Sequence, residues 1–181
     1  PEQGFSVDQL RLAMVGLVLQ HDALRLRFER DESGVRQFFL AAQDVREHAY
    51  IEEVDLSSLP ADAESAGITD HCNRLQASLN LHRGPLLAVG LFQLSGGRRK
   101  LLLVLHHLVV DGVSWRILLE DFNAALETVL KGEEVALGYK TTSYKQWVES
   151  LKEGIDYGHF NNEIDYWESI TDKEKPNLPL D

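Results

Sequence analysis

A continuous apolar run at 101–105 lies near the middle of the chain, and two adjacent histidines at 106–107 follow it directly. A run of this kind, rich in Leu and Val, predicts a strand that is buried on both faces. Asp111 and Gly112 predict a turn. Beyond the turn, apolar residues recur every three or four positions, which indicates an amphipathic helix with Ser114 as its N-cap. We therefore predict a strand, a polar corner and a helix in this order.

The spacing of apolar residues also predicts elements on both sides of this corner. The predicted helices are 6–20, 62–79, 143–151 and 157–170, and the predicted strands are 24–28, 35–40, 50–54 and 86–94. In the helix that starts near 143, Tyr144 and Trp147 are expected to pack on a core. The order of elements predicts an α/β fold, a two-layer sandwich in which helices pack on a mostly antiparallel or mixed sheet.

Composition excludes several classes of function. The net charge of -11 argues against a nucleic-acid partner, because no basic stripe is present to neutralise phosphates. No apolar run is long enough to cross a bilayer, so we expect no membrane partner. The single cysteine, Cys72, excludes an internal disulfide, is expected to be a small core residue and fits a reducing cytosol.

The polar corner carries the candidate chemistry. A neutral imidazole in a partly buried corner is the side chain best suited to moving protons near pH 7. Neighbours on a strand point to opposite faces, so only one of His106 and His107 is expected to serve a given site. Asp111 is close enough to orient a ring or to pair with a buried cation. We expect no metal, since His71 has no partner at metal-ligand spacing, and the two glycines of the 95–99 loop do not make a phosphate loop.

The pattern His-His-x-x-x-Asp-Gly at 106–112 resembles the motif of the chloramphenicol-acetyltransferase-like superfamily. Its continuation, Val-Ser-Trp-Arg-Ile-Leu-Leu-Glu-Asp-Phe at 113–122, resembles the epimerization and condensation domains of nonribosomal peptide synthetases. The tryptophan directly after the serine and the Ser-Tyr-Lys-x-Trp pattern at 143–147 look more like epimerization than condensation. Residues 21–28 resemble a second family motif, Arg-His-Glu-x-Leu-Arg followed by phenylalanine, with Gln20 in place of its arginine and aspartate in place of its glutamate.

The resemblance assigns roles to residues of the corner. It implies that His107 is the catalytic acid or base and that His106 is structural. It also implies that Arg25 pairs with Asp111, which agrees with the cost of burying a carboxylate without a cation.

Three further residues have weaker assignments. Gly112 is expected to permit the tight turn, with its N–H near the thioester oxygen. For Ser114 and Trp115 two alternatives have equal support: contact with the substrate, or a role in the helix cap or the core.

The resemblance also implies a reaction and its partners. The substrate would be an aminoacyl or peptidyl thioester on the 4'-phosphopantetheine of a peptidyl carrier protein, with no cofactor bound directly. We expect residues 1–171 to form the N-terminal lobe of such a domain, with 172–181 as a linker or tail, the second lobe absent from this chain and neighbouring synthetase domains as partners. Two alternatives stay open: a condensation domain that forms an amide between two carrier-bound substrates, and a noncatalytic lobe that docks carriers.

Overall fold

The computed structural model of the chain describes residues 4–45 and 50–171. The chain divides into two compact units, Pro1–Tyr139 and Lys140–Asp181. The predicted tail at 172–181 lies outside the described residues. The helices and strands are α1 (Val7–Gln20), β1 (Leu26–Asp31), β2 (Gly34–Phe39), β3 (Tyr50–Asp55), α2 (Ala61–Ala77), β4 (Leu87–Gln93), β5 (Arg99–Leu105), α3 (Gly112–Leu130), α4 (Tyr144–Asp156) and α5 (Ile164–Thr171).

A mixed three-stranded sheet forms the centre of the first unit. The strand order is β3-β4-β5, with β3 parallel and β5 antiparallel to β4. Alternate residues of β4 point to opposite faces of the sheet. Leu87, Val89 and Leu91 pack with α1 and α3, whereas Ala88 and Phe92 face the side covered by α2. The predicted α/β class, with helices packed on a mixed sheet, is confirmed, and the helices cover both faces.

The apolar run at 101–105 forms β5, but the prediction that it is buried on both faces is wrong. Only Val104 of this run is fully buried, because β5 lies at the edge of the sheet. The central position belongs to β4, where residues 87–92 are all buried. Cys72 is half-buried in α2 and packs beside the cluster that contains Phe92.

The strands predicted at 24–28 and 35–40 are present and pair as an antiparallel hairpin, but the first strand starts later than predicted. Asp22–Arg25 form a 3-10 helix, so β1 begins at Leu26 instead of residue 24. Arg27 alternates with apolar residues in the sequence, yet its side chain is buried and donates a hydrogen bond to the carbonyl of Leu26, 2.6 Å away. A Cβ atom at Gly84, whose φ is +78°, would clash with the guanidinium of Arg27. This close approach explains why a glycine stands at position 84.

The second unit contains α4 and α5. The sequence predicts a helix that starts near 143, and Ser143 caps α4 there through a capping box with Gln146. Tyr144 and Trp147 are 74% and 55% exposed, so the prediction that they pack on a core is wrong. The helix predicted from 157 begins only at Ile164, because Gly158 has a φ of +72° and interrupts the helical backbone.

Candidate functional site

The corner between β5 and α3 is held in place by backbone hydrogen bonds. The N–H of His106 donates to the carbonyl of Leu86 at 3.0 Å, which ties the start of the corner to the residue that precedes β4. The N–H of Val109 donates to the carbonyl of His106, also at 3.0 Å, and closes a turn. Val110 is buried in the main core. The corner is therefore a fixed part of the first unit.

The two histidines have different surroundings. Both lie beyond the end of β5, so strand alternation does not orient them as the sequence predicts. The ring of His106 is half-buried, and its Nδ1 accepts a hydrogen bond from the N–H of Leu108 at 3.2 Å. The ring of His107 is exposed, and within the described part of the chain its side chain has no hydrogen bond. His107 is thus open to an incoming group, whereas His106 already has a backbone partner.

Asp111 is the N-cap of α3. Its Oδ1 accepts hydrogen bonds from the N–H of Ser114 at 2.7 Å and from its hydroxyl at 2.6 Å. These hydrogen bonds lower the pKa of Asp111 below its ordinary value. The prediction that Ser114 caps this helix is wrong, because the carboxylate of Asp111 binds the N–H of Ser114 and the helix already begins at Gly112.

The ion pair implied between Arg25 and Asp111 does not form. The guanidinium of Arg25 binds the carboxylate of Asp22 and donates a hydrogen bond to the carbonyl of Leu40 at 3.1 Å. The 3-10 helix over 22–25 brings Asp22 next to Arg25, and the Asp111 carboxylate is directed to Ser114 instead. Among the residues that the structure describes, no ion pair links Arg25 to Asp111.

Gly112 lies at the start of α3 with free space around its Cα atom. Its φ is not positive, so the turn does not need a glycine for its backbone conformation, contrary to the prediction. A Cβ atom at this position would meet no described atom within 4 Å. Because Gly112 is the first residue of α3, its N–H has no partner inside the helix, whereas the N–H groups of Val113 and Ser114 interact with the carboxylate of Asp111. An exposed imidazole and one open backbone donor of the helix therefore share one corner.

Ser114 and Trp115 have structural contacts. The hydroxyl of Ser114 donates to Asp111, and Trp115 packs half-buried against the main core. Their substrate contact stays a prediction.

Three exposed apolar residues on this corner were missed by the sequence analysis. Leu108, Val113 and Ile117 are 60%, 72% and 48% exposed. The sequence does contain a pattern for two of them: Val113 and Ile117 are four residues apart and fall outside the apolar stripe that contains Leu118 and Phe122. They add apolar surface beside the polar corner.

Residues 4–45 and 50–171 contain neither a metal cluster nor a membrane-spanning helix. No group of three or more His, Cys, Asp and Glu side chains in these ranges could hold a metal ion. No helix in the same ranges is long and apolar enough to cross a membrane.

Comparison with known proteins places the chain in a family. The model of the condensation domain matches residues 2–181. One of the proteins that form the linear gramicidin synthase of Brevibacillus parabrevis is 40% identical over 172 residues, which are 95% of this chain and 3% of that protein. Tyrocidine synthase 2 of the same organism is 37% identical over 181 residues, which are 99% of this chain and 5% of that protein. The chain thus spans only a small part of these large synthases.

Solved structures share the fold. The epimerization domain from the third module of tyrocidine synthetase B matches with a TM-score of 0.88 and 33% identity, over 98% of this chain and 40% of that chain. The starter condensation domain of rhizomide synthetase matches with a TM-score of 0.74 and 20% identity, over 97% of this chain and 41% of that chain. The second match, at this low identity, shows the fold alone. This chain belongs to the condensation-domain family of nonribosomal peptide synthetases.

Proposed function

We propose that this chain is the first lobe of an epimerization domain, which inverts the α-carbon of an aminoacyl or peptidyl thioester carried on the phosphopantetheine arm of a carrier protein. The observation that carries this proposal is the 33% identity to a solved epimerization domain over 98% of the chain, against 20% to a starter condensation domain. The tryptophan directly after Ser114 supports the same choice.

His107 is the group that we propose to move the α-proton. A thioester acidifies the neighbouring C–H bond. The imidazole takes that proton, the electron pair of the C–H bond forms the C=C bond of the enolate, and negative charge develops on the thioester oxygen. A proton then returns to the opposite face of the same carbon and inverts it. The exposure of His107 and the lack of a described partner for its side chain leave the ring available to the substrate.

The end of α3 is suited to the enolate oxygen. Donors that point at a developing oxyanion lower the barrier, and the first N–H groups of a helix are such donors. The space above Gly112 allows a thioester to approach the backbone closely. Asp111 is a positioning residue that does not contact the substrate, since its carboxylate fixes where α3 begins. The acid for the opposite face would come from the second lobe, which we propose as a partner together with the peptidyl carrier protein and neighbouring synthetase domains.

A condensation domain is the second candidate. The matching family model carries that description over residues 2–181, and the names of the relatives give only synthases. In this reaction His107 would position or deprotonate an amine that attacks the thioester carbonyl. An amide bond forms and the thiol of the phosphopantetheine arm leaves, so two carrier-bound substrates are needed.

The noncatalytic docking lobe is the third candidate, and it needs no proton transfer at His107.

Deuterium uptake separates these candidates. The chain is combined with a separately expressed second lobe and an aminoacyl carrier protein in heavy water, and deuterium at the α-carbon and the D-residue are measured by mass spectrometry and chiral chromatography. Since general acid–base catalysis contributes about 10² to 10⁴ in rate, His107→Ala should reduce uptake at least about 100-fold. His82→Ala, an exposed histidine outside the corner, is the matched control and should retain full uptake.

Each alternative has its own result in this experiment. Absence of uptake, together with amide formation when an acceptor amine on a second carrier is supplied, would assign condensation. Absence of both products, with carrier affinity that His107→Ala does not change, would assign a docking lobe.

A further inference from the structure

A buried arginine lies in the first unit without an acidic partner. Arg27 of β1 is 2% exposed, and its Nη1 donates one hydrogen bond to the carbonyl of Leu26 at 2.6 Å. Within residues 4–45 and 50–171, its buried Nε has no hydrogen-bond partner and no carboxylate pairs with its charge. Burial lowers the pKa of Arg27 below its ordinary value. A buried charge of this kind costs free energy of folding, so its presence needs an explanation.

The guanidinium of Arg27 lies with its flat face against the backbone of Gly84. The three atoms that a Cβ at Gly84 would meet first are Nη2, Cζ and Nε of this one side chain. A lysine ammonium is a compact point charge and cannot reproduce a contact between a planar group and a backbone. The contact therefore needs an arginine on one side and a glycine on the other.

Gly84 belongs to a turn, residues 80–86, that lies between α2 and β4. The N–H of Gly84 donates to the carbonyl of Asn80 at 2.7 Å, and the N–H of Asn80 donates to the carbonyl of Pro85 at 3.1 Å. The side-chain oxygen of Asn80 also accepts hydrogen bonds from the N–H groups two and three residues later, at 3.0 and 2.8 Å. These four hydrogen bonds make the turn a defined unit.

The 80–86 turn joins β1 to the polar corner. On one side, the N–H of Phe28 donates to the carbonyl of Leu81 at 2.9 Å. On the other side, the N–H of His106 donates to the carbonyl of Leu86 at 3.0 Å, and Leu86 is 1% exposed. His107 is the next residue. A continuous path of contacts therefore runs from the strand of the buried arginine through the turn to the two histidines.

We propose that Arg27 is a positioning residue: its guanidinium holds the 80–86 turn, and the turn fixes the backbone at His106 and with it the place of the His107 ring. The part of this proposal that concerns catalysis rests on the function proposed above, whereas the part that concerns the backbone of the corner does not. Reacting groups must be held to within about 0.5 to 1 Å for full rate, so a residue that never contacts substrate can determine turnover. The cost of the buried charge is then offset by the geometry that it imposes on the corner.

Replacement by methionine separates this role from a general role in stability. An apolar side chain of similar length suits a buried site at least as well as an unpaired charge. Arg27→Met should therefore keep the melting temperature within about 2 °C of that of the unchanged chain, or raise it. Arg30→Met is the matched control, because Arg30 lies on the same strand, undergoes the same change and is exposed.

Amide hydrogen exchange, measured by NMR on the full 181-residue chain, reports on the corner directly. In Arg27→Met the N–H of His106 should exchange at least about tenfold faster, because the carbonyl of Leu86 is no longer held in place. The N–H groups that pair β4 with β5 should change less than about twofold, and Arg30→Met should change neither set. Arg27→Lys should also speed exchange at His106, and it decides the question if Arg27→Met does not fold.

Turnover gives a second readout. In the deuterium-uptake assay, Arg27→Met should lower kcat at least about tenfold and change KM less than about twofold, because Arg27 does not contact substrate. Arg30→Met should retain both values. Absence of uptake by the unchanged assembly would contradict the proposed function, and exchange at His106 alone would then decide whether Arg27 positions the corner.

Three results would overturn the proposal. The first is exchange at His106 that stays within about twofold of the unchanged chain in every folded Arg27 variant. The second is faster exchange of all amides together with a lower melting temperature, which would make Arg27 a residue of general stability. The third is faster exchange at His106 with an unchanged kcat in an assembly that takes up deuterium, which would show that catalysis tolerates a looser corner.

Discussion

Asp111 decides where the helix after the polar corner begins. Asp111 and Ser114 both have side chains that favour N-caps, so sequence alone offers two starting points for α3. The carboxylate of Asp111 reaches the N–H and the hydroxyl of Ser114, which places the N-cap three residues earlier than the serine. The N-terminal donors of the helix are therefore adjacent to the turn that contains His107.

A pH-dependent comparison tests this role. Asp111→Asn keeps an oxygen that can cap α3, so we expect its stability at pH 7 to be close to that of the unchanged chain, whereas Asp111→Ala should melt several degrees lower. Hydrogen bonds from Ser114 hold the pKa of Asp111 below its ordinary value of 3.8. The stability that its charge adds is fully present above that value and is lost as the pH falls through the lowered pKa.

Urea unfolding of the chain and of Asp111→Asn between pH 7 and pH 3 measures this contribution. The difference between the two unfolding midpoints should be constant down to about pH 4. Below that pH, the midpoint of the unchanged chain should fall relative to that of the Asn variant, because the carboxylate is protonated. A difference that stays constant to pH 3 would contradict a capping role for the charged form.

The candidate site could be predicted from the sequence where its contacts are local. Two histidines and an aspartate at a strand-to-helix corner follow from patterns within about twelve residues. The partner of Arg25 could not be predicted in this way. Asp22 and Asp111 are both suitable acceptors, and the choice depends on a 3-10 helix that brings Asp22 close, whereas alternation in the sequence predicts a strand there.

At the scale of elements, the position of a strand in the sheet determines how buried it is more than its composition does. The run at 101–105 is more continuously apolar than most strands, but β5 is an edge strand, and β4 with its internal glycine takes the centre. Hairpin turns could be predicted because Gly and Asp at the turn specify them locally. The order of strands could not, since pairing β3 parallel to β4 joins segments more than thirty residues apart.

The contact of α2 with the sheet gives an element-scale prediction. Leu75 is 1% exposed and packs with Ala88 and Val104. Leu75→Ala removes buried methyl groups and leaves a cavity, which should lower the free energy of unfolding by about 2–5 kcal/mol. Leu119→Ala, on the 43% exposed position of α3, should lower it by less than about 1 kcal/mol. Similar losses for both variants in urea unfolding would show that α2 is not docked on the sheet.

At the scale of the whole molecule, the hydrophobic core lies in one of the two units. The buried hydrophobic residues within 4–45 and 50–171 all precede residue 130. Residues 133–143 connect the units without helix or strand, and Tyr139 within them is fully exposed. A connection of this kind is the preferred site for proteolysis, because a protease needs an exposed and irregular backbone.

Chymotrypsin should therefore cut first after Tyr139 and release fragments 1–139 and 140–181, which mass spectrometry identifies. Tyr139→Ser should slow this first cut at least about tenfold, since local opening of folded segments then limits cleavage. Tyr144→Ser is the matched control, because Tyr144 is 74% exposed but lies in the first turn of α4, and it should leave the first cut unchanged. The larger fragment should keep its circular dichroism signal, since it contains the main core. A first cut inside α3 or α4 would contradict the division of the chain at residue 139.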